Sequence, residues 1–169
     1  MYREIVTKAV IGKGKISNNS EIVINTSNVA SKVLGCWIIN HYFVSSYEDN
    51  KVLVRGKYDL HIWYGYNKDS DTFIHKQTVE YVEEFPLKMK NGETLNEDNE
   101  LVTKCNKYPT CNSLVLNSAG TINVKVEKEL VLDVIGEAKL KVQIDNSSCD
   151  EWIDNNEEIN KIDTNYLNK

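Results

Sequence analysis

The stretch TINVKVEKELVLDVIGEAKLKVQI, residues 121–144, decides the fold class. Apolar residues stand at every second position over most of it, and mainly polar residues stand between them. A helix repeats its apolar positions every three to four residues, so this pattern predicts a strand with one buried and one solvated face. At about 3.3 Å per residue the run is longer than an ordinary strand. We therefore expect it to bend or to change partners, with Gly136 as the corner.

A second alternating run, Lys51–Tyr66, also follows a shorter apolar segment and a polar turn. A shift of 70 residues lays the two runs over each other, which indicates a duplicated hairpin, although any two alternating strands match to some degree. Further strands are predicted over residues 3–11, 21–25, 35–44, 72–85, 100–105 and 111–116. A helix is tolerated only over residues 28–33 and 151–167.

The turn residues complete the prediction of an all-β fold. Asn91-Gly92 is a hairpin signal, Pro86 ends a strand and Pro109 starts one. Roughly eight to ten evenly spaced strands are typical of an antiparallel β-sandwich or a flattened β-barrel. We expect residues 1–144 to form this β-domain, with two similar halves as an option, and residues 145–169 to form a short acidic, Asn-rich C-terminal tail.

The net charge of −5 lies entirely in that tail. Residues 1–144 carry 18 acidic and 18 basic side chains, whereas the tail carries seven acids and two lysines. A body without a basic cluster argues against a nucleic-acid partner. No apolar run is long enough for a membrane span, and residues 1–4 lack the order of a secretory signal. We expect a protein made in a cytoplasm.

The four cysteines give no metal-binding spacing. A zinc site using Cys105 and Cys111 would need histidine ligands at unconstrained distances, so reduced thiols are the favoured interpretation and no metal or cofactor is expected. The Gly-Lys-Gly-Lys segment at residues 12–15 lacks the spacing of a phosphate loop and is interpreted as a strand end. Asp59 and His61 share the solvated face of a predicted strand, and neighbouring carboxylates point to opposite faces. We therefore expect no enzymatic activity.

The aromatic residues near the end of the second run divide between the two faces. Tyr58, Tyr64 and Tyr66 fall on the apolar parity, and Trp63 falls on the solvated one. An exposed tryptophan favours an interface anchor. A carbohydrate-binding β-sandwich that uses Trp63 for stacking is the alternative, and a lipocalin-like carrier is a weaker one. Open sheet edges on a charge-balanced body add self-association as a hypothesis.

Five blocks of sequence, in order and spacing, resemble the CotE family of outer spore-coat morphogenetic proteins. The likeness runs from residue 2 to about residue 144. The blocks are YREIVTKAV (2–10), GKG (12–14), LGCWIINH (34–41), DLHIWY (59–64) and VIGEAK (134–139). One departure is Cys36, where the family pattern has glycine.

The resemblance implies a non-enzymatic structural protein of the outer spore coat, assembled from the mother-cell cytoplasm. Such proteins form homo-oligomers around the developing spore, and they recruit or anchor other coat proteins. The family's C-terminal region is linked to docking on the coat base layer. The corresponding interaction residues here, besides Trp63, are Asp150, Glu151, Trp152, Asp154, Glu157 and Glu158. Cys149 is the candidate for an intermolecular cross-link. This tail carries fewer acids than the family pattern and is diluted with asparagine.

Overall fold

The computed structural model describes residues 2–144, and these contain seven strands and no helix. The predicted all-β class is confirmed, as two antiparallel sheets that do not close into a barrel. Two compact units are present: Val6–Ala138, which holds the core, and a smaller unit that includes residues 2–5 and 139–144. The strands are β1 (Tyr2–Ile24), β2 (Ala30–Glu48), β3 (Lys51–Tyr66), β4 (Asp71–Glu84), β5 (Leu87–Met89), β6 (Glu100–Leu116) and β7 (Ile122–Gln143).

The two alternating runs of the sequence each form one long strand inside a sheet. The first sheet has the order β5-β1-β7-β6 and the second has the order β2-β3-β4. The turn between β2 and β3 has positive φ at Asp49 (49°) and Asn50 (62°), residue types that tolerate this region. Strands β2 and β3 form one antiparallel hairpin and β6 and β7 form another, in different sheets.

The apolar parities of β3 and β7 meet between the sheets. The start of β3, with Val52 and Val54, packs in one cluster with Leu130 and Leu132 of β7. The later part of β3 packs in a second cluster with the start of β7. Each large apolar side chain buried in this way contributes about 1.5–3 kcal/mol. The second cluster contains Ile24, Ala30, Tyr58, Leu60, Ile62, Tyr64, Ile122, Val124 and Val126.

Several predicted boundaries are wrong because the strands continue through segments that resemble turns. Strand β1 is unbroken from Tyr2 to Ile24, so residues 12–15 lie inside a strand rather than at its end. Residues 28–33 are not helical, since β2 begins at Ala30. Asn91-Gly92 forms a turn but no hairpin, because β5 and β6 are not neighbours in their sheet. Pro86 follows the end of β4, as predicted.

Pro109 lies within β6 rather than at the start of a strand. Register shifts surround it, between Cys105 and Lys107, between Lys107 and Thr110, and between Cys111 and Ser113. β6 is the last strand of its sheet, and an edge strand with a bulge tolerates a residue that has no N–H donor. Two predicted strands are thereby joined into one.

Gly136 does not end or break β7, although pairing with β6 stops at Ile135. The strand therefore continues past this point to Gln143, beyond its last pair with β6. A Cβ at Gly136 would lie 2.5 Å from Ile11 Cδ1 and 2.8 Å from Asn99 Nδ2. A larger residue here would force the Ile11 and Asn99 side chains to move.

Candidate functional site

The outer face of the β2-β3-β4 sheet exposes an unusual number of large apolar side chains. Pairing places Ile74 beside Trp63 and places Val82 and Val44 on either side of Arg55, so these residues share one face. Such residues on a solvated sheet face are typical of a protein interface when they are contiguous. We call this surface the tryptophan face and define it by Trp37, Ile39, Tyr42, Val44, Trp63, Ile74 and Val82, which are 38–62% exposed.

The centre of the tryptophan face is a stacked pair of indoles. The ring centroids of Trp37 and Trp63 lie 6.2 Å apart with an interplanar angle of 28°. Trp63 is 38% exposed and Trp37 is 49% exposed. Trp63 therefore lies on the solvated face, as its parity indicates, and the neighbouring Trp37 was missed by sequence reasoning. No alternation marks Trp37 in the sequence, because Cys36, Ile38 and Ile39 around it are also apolar; its pairing with His61 places it on this face.

Polar groups beside the indoles are held by ordinary hydrogen bonds. Asp59 accepts one from Asn40 Nδ2 at 2.8 Å and one from Thr78 Oγ1 at 2.7 Å. These bonds, first the one from Asn40, lower the pKa of Asp59. Asp59 and His61 lie on the outer face, as predicted, and Asp59 is fully engaged in cross-strand contacts. This arrangement favours a positioned surface carboxylate over an acid–base centre.

The outer face of the other sheet has a different chemistry. Lys15 and Glu129 form an ion pair at 3.0 Å, and Lys107 and Glu127 form another at 2.6 Å. These partners come from three neighbouring strands, β1, β7 and β6. Charged residues in alternating sign keep such a face solvated. Of the two outer faces, the tryptophan face is the better candidate for contact with another protein.

The remaining predicted site residues lie outside the described residues. This applies to the cross-link candidate Cys149 and to the six interaction candidates of the tail, Asp150, Glu151, Trp152, Asp154, Glu157 and Glu158. Their roles stay predictions.

A polar cluster inside the sandwich was missed by sequence reasoning. Lys128 of β7 is 3% exposed, and its Nζ lies 2.6 Å from Glu83 Oε1 of β4. The same oxygen accepts a hydrogen bond from Asn18 Nδ2 of β1 at 2.7 Å. The Tyr81 ring lies beneath the ammonium group, 4.1 Å from Nζ to the centroid. The signal was present in the sequence, because Lys128 occupies the apolar parity of β7.

The cluster continues on the far side of Tyr81. The Tyr81 hydroxyl lies 2.7 Å from His41 Nε2, and His41 Nδ1 lies 4.0 Å from the Cys105 sulfur. Burial, and then the nearby Lys128 charge, lower the pKa of His41. Burial likewise raises the pKa of Cys105 and of Tyr81. A thiol with a raised pKa is a poor nucleophile, so this Cys–His contact does not resemble an activated catalytic pair.

The three cysteines within the described residues are free thiols. Cys36 of β2 and Cys111 of β6 pack against the same apolar cluster. Burial, together with a hydrogen bond to Cys111, raises the pKa of Cys36 to about 12. No group of three or more His, Cys, Asp or Glu side chains within residues 2–144 is arranged to hold a metal ion.

The model of one protein family, described as Outer spore coat protein E (CotE), matches residues 1–169. The chain belongs to the CotE family. The match confirms the resemblance seen in the five sequence blocks and extends it through the tail. It also assigns the chain to a structural family of the outer spore coat.

Comparison of this CotE-family chain with curated proteins and with solved structures gives no significant match. Within residues 2–144, no helix could cross a lipid bilayer.

Proposed function

We propose that this CotE-family chain is a non-enzymatic scaffold of the outer spore coat that associates with copies of itself through the tryptophan face. The observation that carries the proposal is the exposed Trp37–Trp63 stack on a sheet face. Exposed aromatic anchors supply most of the binding energy at protein interfaces. Membership of an outer spore coat family supports the setting.

Charge balance favours a second copy as the occupant of this face. Residues 1–144 carry equal numbers of acidic and basic side chains, so two bodies approach each other without net repulsion. The tryptophan face also carries both signs, with Arg55 and Lys57 beside Asp59 and Glu80. Such a surface pairs its own charges when two copies meet in opposite orientation.

The acidic tail is proposed to recruit or anchor other coat proteins, including those of the base layer. Seven acids against two lysines give residues 145–169 a charge that the body lacks. A segment of this kind attracts a basic partner. Division of labour between a self-associating body and a recruiting tail explains why the net charge of the chain is confined to one end.

Light scattering of the purified chain across a range of concentrations tests self-association. We expect masses of several copies for the natural sequence and a large loss of assembly for the double substitution Trp37→Ser and Trp63→Ser. The matched control is Val23→Ser with Val115→Ser, which removes two exposed apolar side chains outside the tryptophan face. A monomeric mass at all concentrations, or equal effects of the two double variants, contradicts the proposal.

The carbohydrate-binding alternative predicts a different outcome in the same samples. A glycan that stacks on Trp63 would change the tryptophan fluorescence and protect the monomer from assembly. The scaffold proposal predicts no response to glycans, because the two indoles already stack on each other.

A further inference from the structure

Three polar residues interrupt the apolar parities of three different strands, and all three meet at one point. Asn18 stands between Ile16 and Ile22 on β1, and Lys128 stands between Val126 and Leu130 on β7. Glu83 reaches them from β4 of the opposite sheet. A buried amine beside a partly buried amide and carboxylate is costly unless the three groups satisfy one another.

Glu83 brings the amine of Lys128 and the amide of Asn18 together. Its Oε1 atom is 2.6 Å from Lys128 Nζ and 2.7 Å from Asn18 Nδ2. Lys128 Nζ and Asn18 Nδ2 therefore both contact the same oxygen atom, and the distance between them cannot exceed the sum of these two distances. β1 and β7 are neighbours in one sheet, so the two side chains approach from adjacent strands.

The surroundings suit a proton transfer. The Lys128 side chain is 4% exposed, and the Tyr81 ring covers its Nζ at 4.1 Å. Glu83 Oε2 is buried and has no hydrogen-bond partner among the described residues, so the carboxylate has a free acceptor site. The Glu83 carboxylate is the base that lies within reach of Nζ. A desolvated neutral lysine is a nucleophile.

We propose that Lys128 and Asn18 join in an intramolecular amide bond, formed by the chain itself with Glu83 as the proton carrier. Nζ of Lys128 attacks Cγ of Asn18, the Cγ–Nδ2 bond breaks, and ammonia leaves. Nζ gives up two protons by way of Glu83: one goes to the departing Nδ2, which leaves as ammonia, and the other goes to the released ammonia, so the carboxylate is unchanged at the end. The reaction converts a lysine ammonium and a primary amide into a secondary amide and an ammonium ion, and it needs no oxidant, metal or cofactor.

The product would tie β1 to β7 near the centre of their sheet. A covalent link between distant points of the chain restricts the unfolded state, as a disulfide does, without dependence on redox conditions. A scaffold protein that has to persist outside a living cytoplasm gains from a bond of this kind. This consequence adds to the proposed function, whereas the proposal of the bond is argued from the polar cluster and does not depend on that function.

Intact-mass spectrometry of the denatured full chain tests the proposal directly. We expect a mass below that of the sequence by one ammonia, about 17 Da. After proteolysis, a branched peptide should connect the segments that contain Asn18 and Lys128. The full sequence mass for folded protein overturns the proposal.

Variants separate this reaction from other losses of ammonia, such as cyclisation at Asn91-Gly92. Lys128→Met, Asn18→Ala and Glu83→Gln should each restore the full mass. The matched control Lys125→Met removes an exposed lysine of the same strand and should keep the loss. A mass deficit that persists in Lys128→Met assigns it to another site and contradicts the proposed bond, whether or not that variant folds.

Discussion

The two long inner strands each contain an exception to the alternation, and the two exceptions are of opposite kind. On β3, Trp63 lies on the solvated face and remains 38% exposed. On β7, Lys128 lies on the buried face and is 3% exposed. The exposed indole leaves apolar area in water, which a partner outside the chain can cover. The buried ammonium finds its partners inside the chain, in Glu83 and Tyr81.

This difference indicates which residues contribute to association between copies and which contribute to the stability of the fold. Removal of a residue whose partner lies outside should leave the fold intact and weaken assembly. Removal of a residue whose partners lie inside should weaken the fold. The two exceptions to the pattern therefore predict opposite phenotypes.

The largest expected effect is on stability, from Lys128→Met in an Asn18→Ala background, where no amide bond can form and Lys128 keeps its charge. The substitution leaves the Glu83 carboxylate without its cation and should cost about 3 kcal/mol, the lower end for a broken buried pair, since Glu83 retains some solvent contact. Urea denaturation followed by circular dichroism measures it. Adding Glu83→Gln should recover part of the loss. Equal stability with and without Lys128→Met in this background would show that the Lys128–Glu83 ion pair contributes little.

The next effect concerns the environment of the face tryptophans. In a Trp152→Phe background, the tryptophans that report are Trp37 and Trp63. We expect their emission to shift to shorter wavelength as the concentration rises, because assembly removes the indoles from water. Fluorescence spectra over a dilution series measure this. Assembly without a spectral shift would assign the contact to another surface, such as the free edge of β4.

A smaller effect is the dependence of stability on pH through His41. Its pKa lies below the ordinary value of 6.5 in the folded protein, because of burial and then the Lys128 charge. The unfolded chain therefore binds the proton first as the pH falls. The contribution of His41 to the free energy of unfolding is complete above about pH 6.5, and it is lost progressively as the pH falls below that value. Thermal unfolding between pH 8 and pH 5 should show this fall, and His41→Gln should reduce it.

The smallest change is in thiol chemistry and leaves fold and assembly intact. With the pKa of Cys36 raised to about 12, roughly one molecule in ten thousand carries the thiolate at pH 8. We expect iodoacetamide to modify Cys36 far more slowly in the folded chain than in urea. Peptide mass spectrometry after timed alkylation measures both rates. Comparable rates in the two conditions would contradict the buried position.

Alternation in the sequence was sufficient to predict the fold class, the strands β3 and β7, and the opposite placement of Tyr64 and Trp63. It was insufficient where a strand changes parity. On β2, a register shift between Ile39 and Tyr42, with positive φ at Asn40, exchanges the inward positions. A bulge depends on the neighbouring strand as well as on local sequence. The continuity of β6 through Pro109 was hidden for the same reason.

The polar cluster could be predicted in part. Lys128 among apolar residues of one parity marks a buried charge, and Asn18 on the inward parity of β1 marks a partly buried amide. Their meeting with Glu83 depends on the pairing of β1 with β7 and on the packing of one sheet against the other. Sequence spacing contains no information on that packing, so neither the cluster nor the stacking of Trp37 on Trp63 could be placed beforehand.

Electron microscopy of the purified chain at a resolution that shows strands tests the central claim most directly. The account predicts assemblies of many copies in which the outer faces of the β2-β3-β4 sheets, with Trp37 and Trp63, form the contact between copies. Single particles throughout, or a contact made by the ion-paired face of the other sheet, would contradict it.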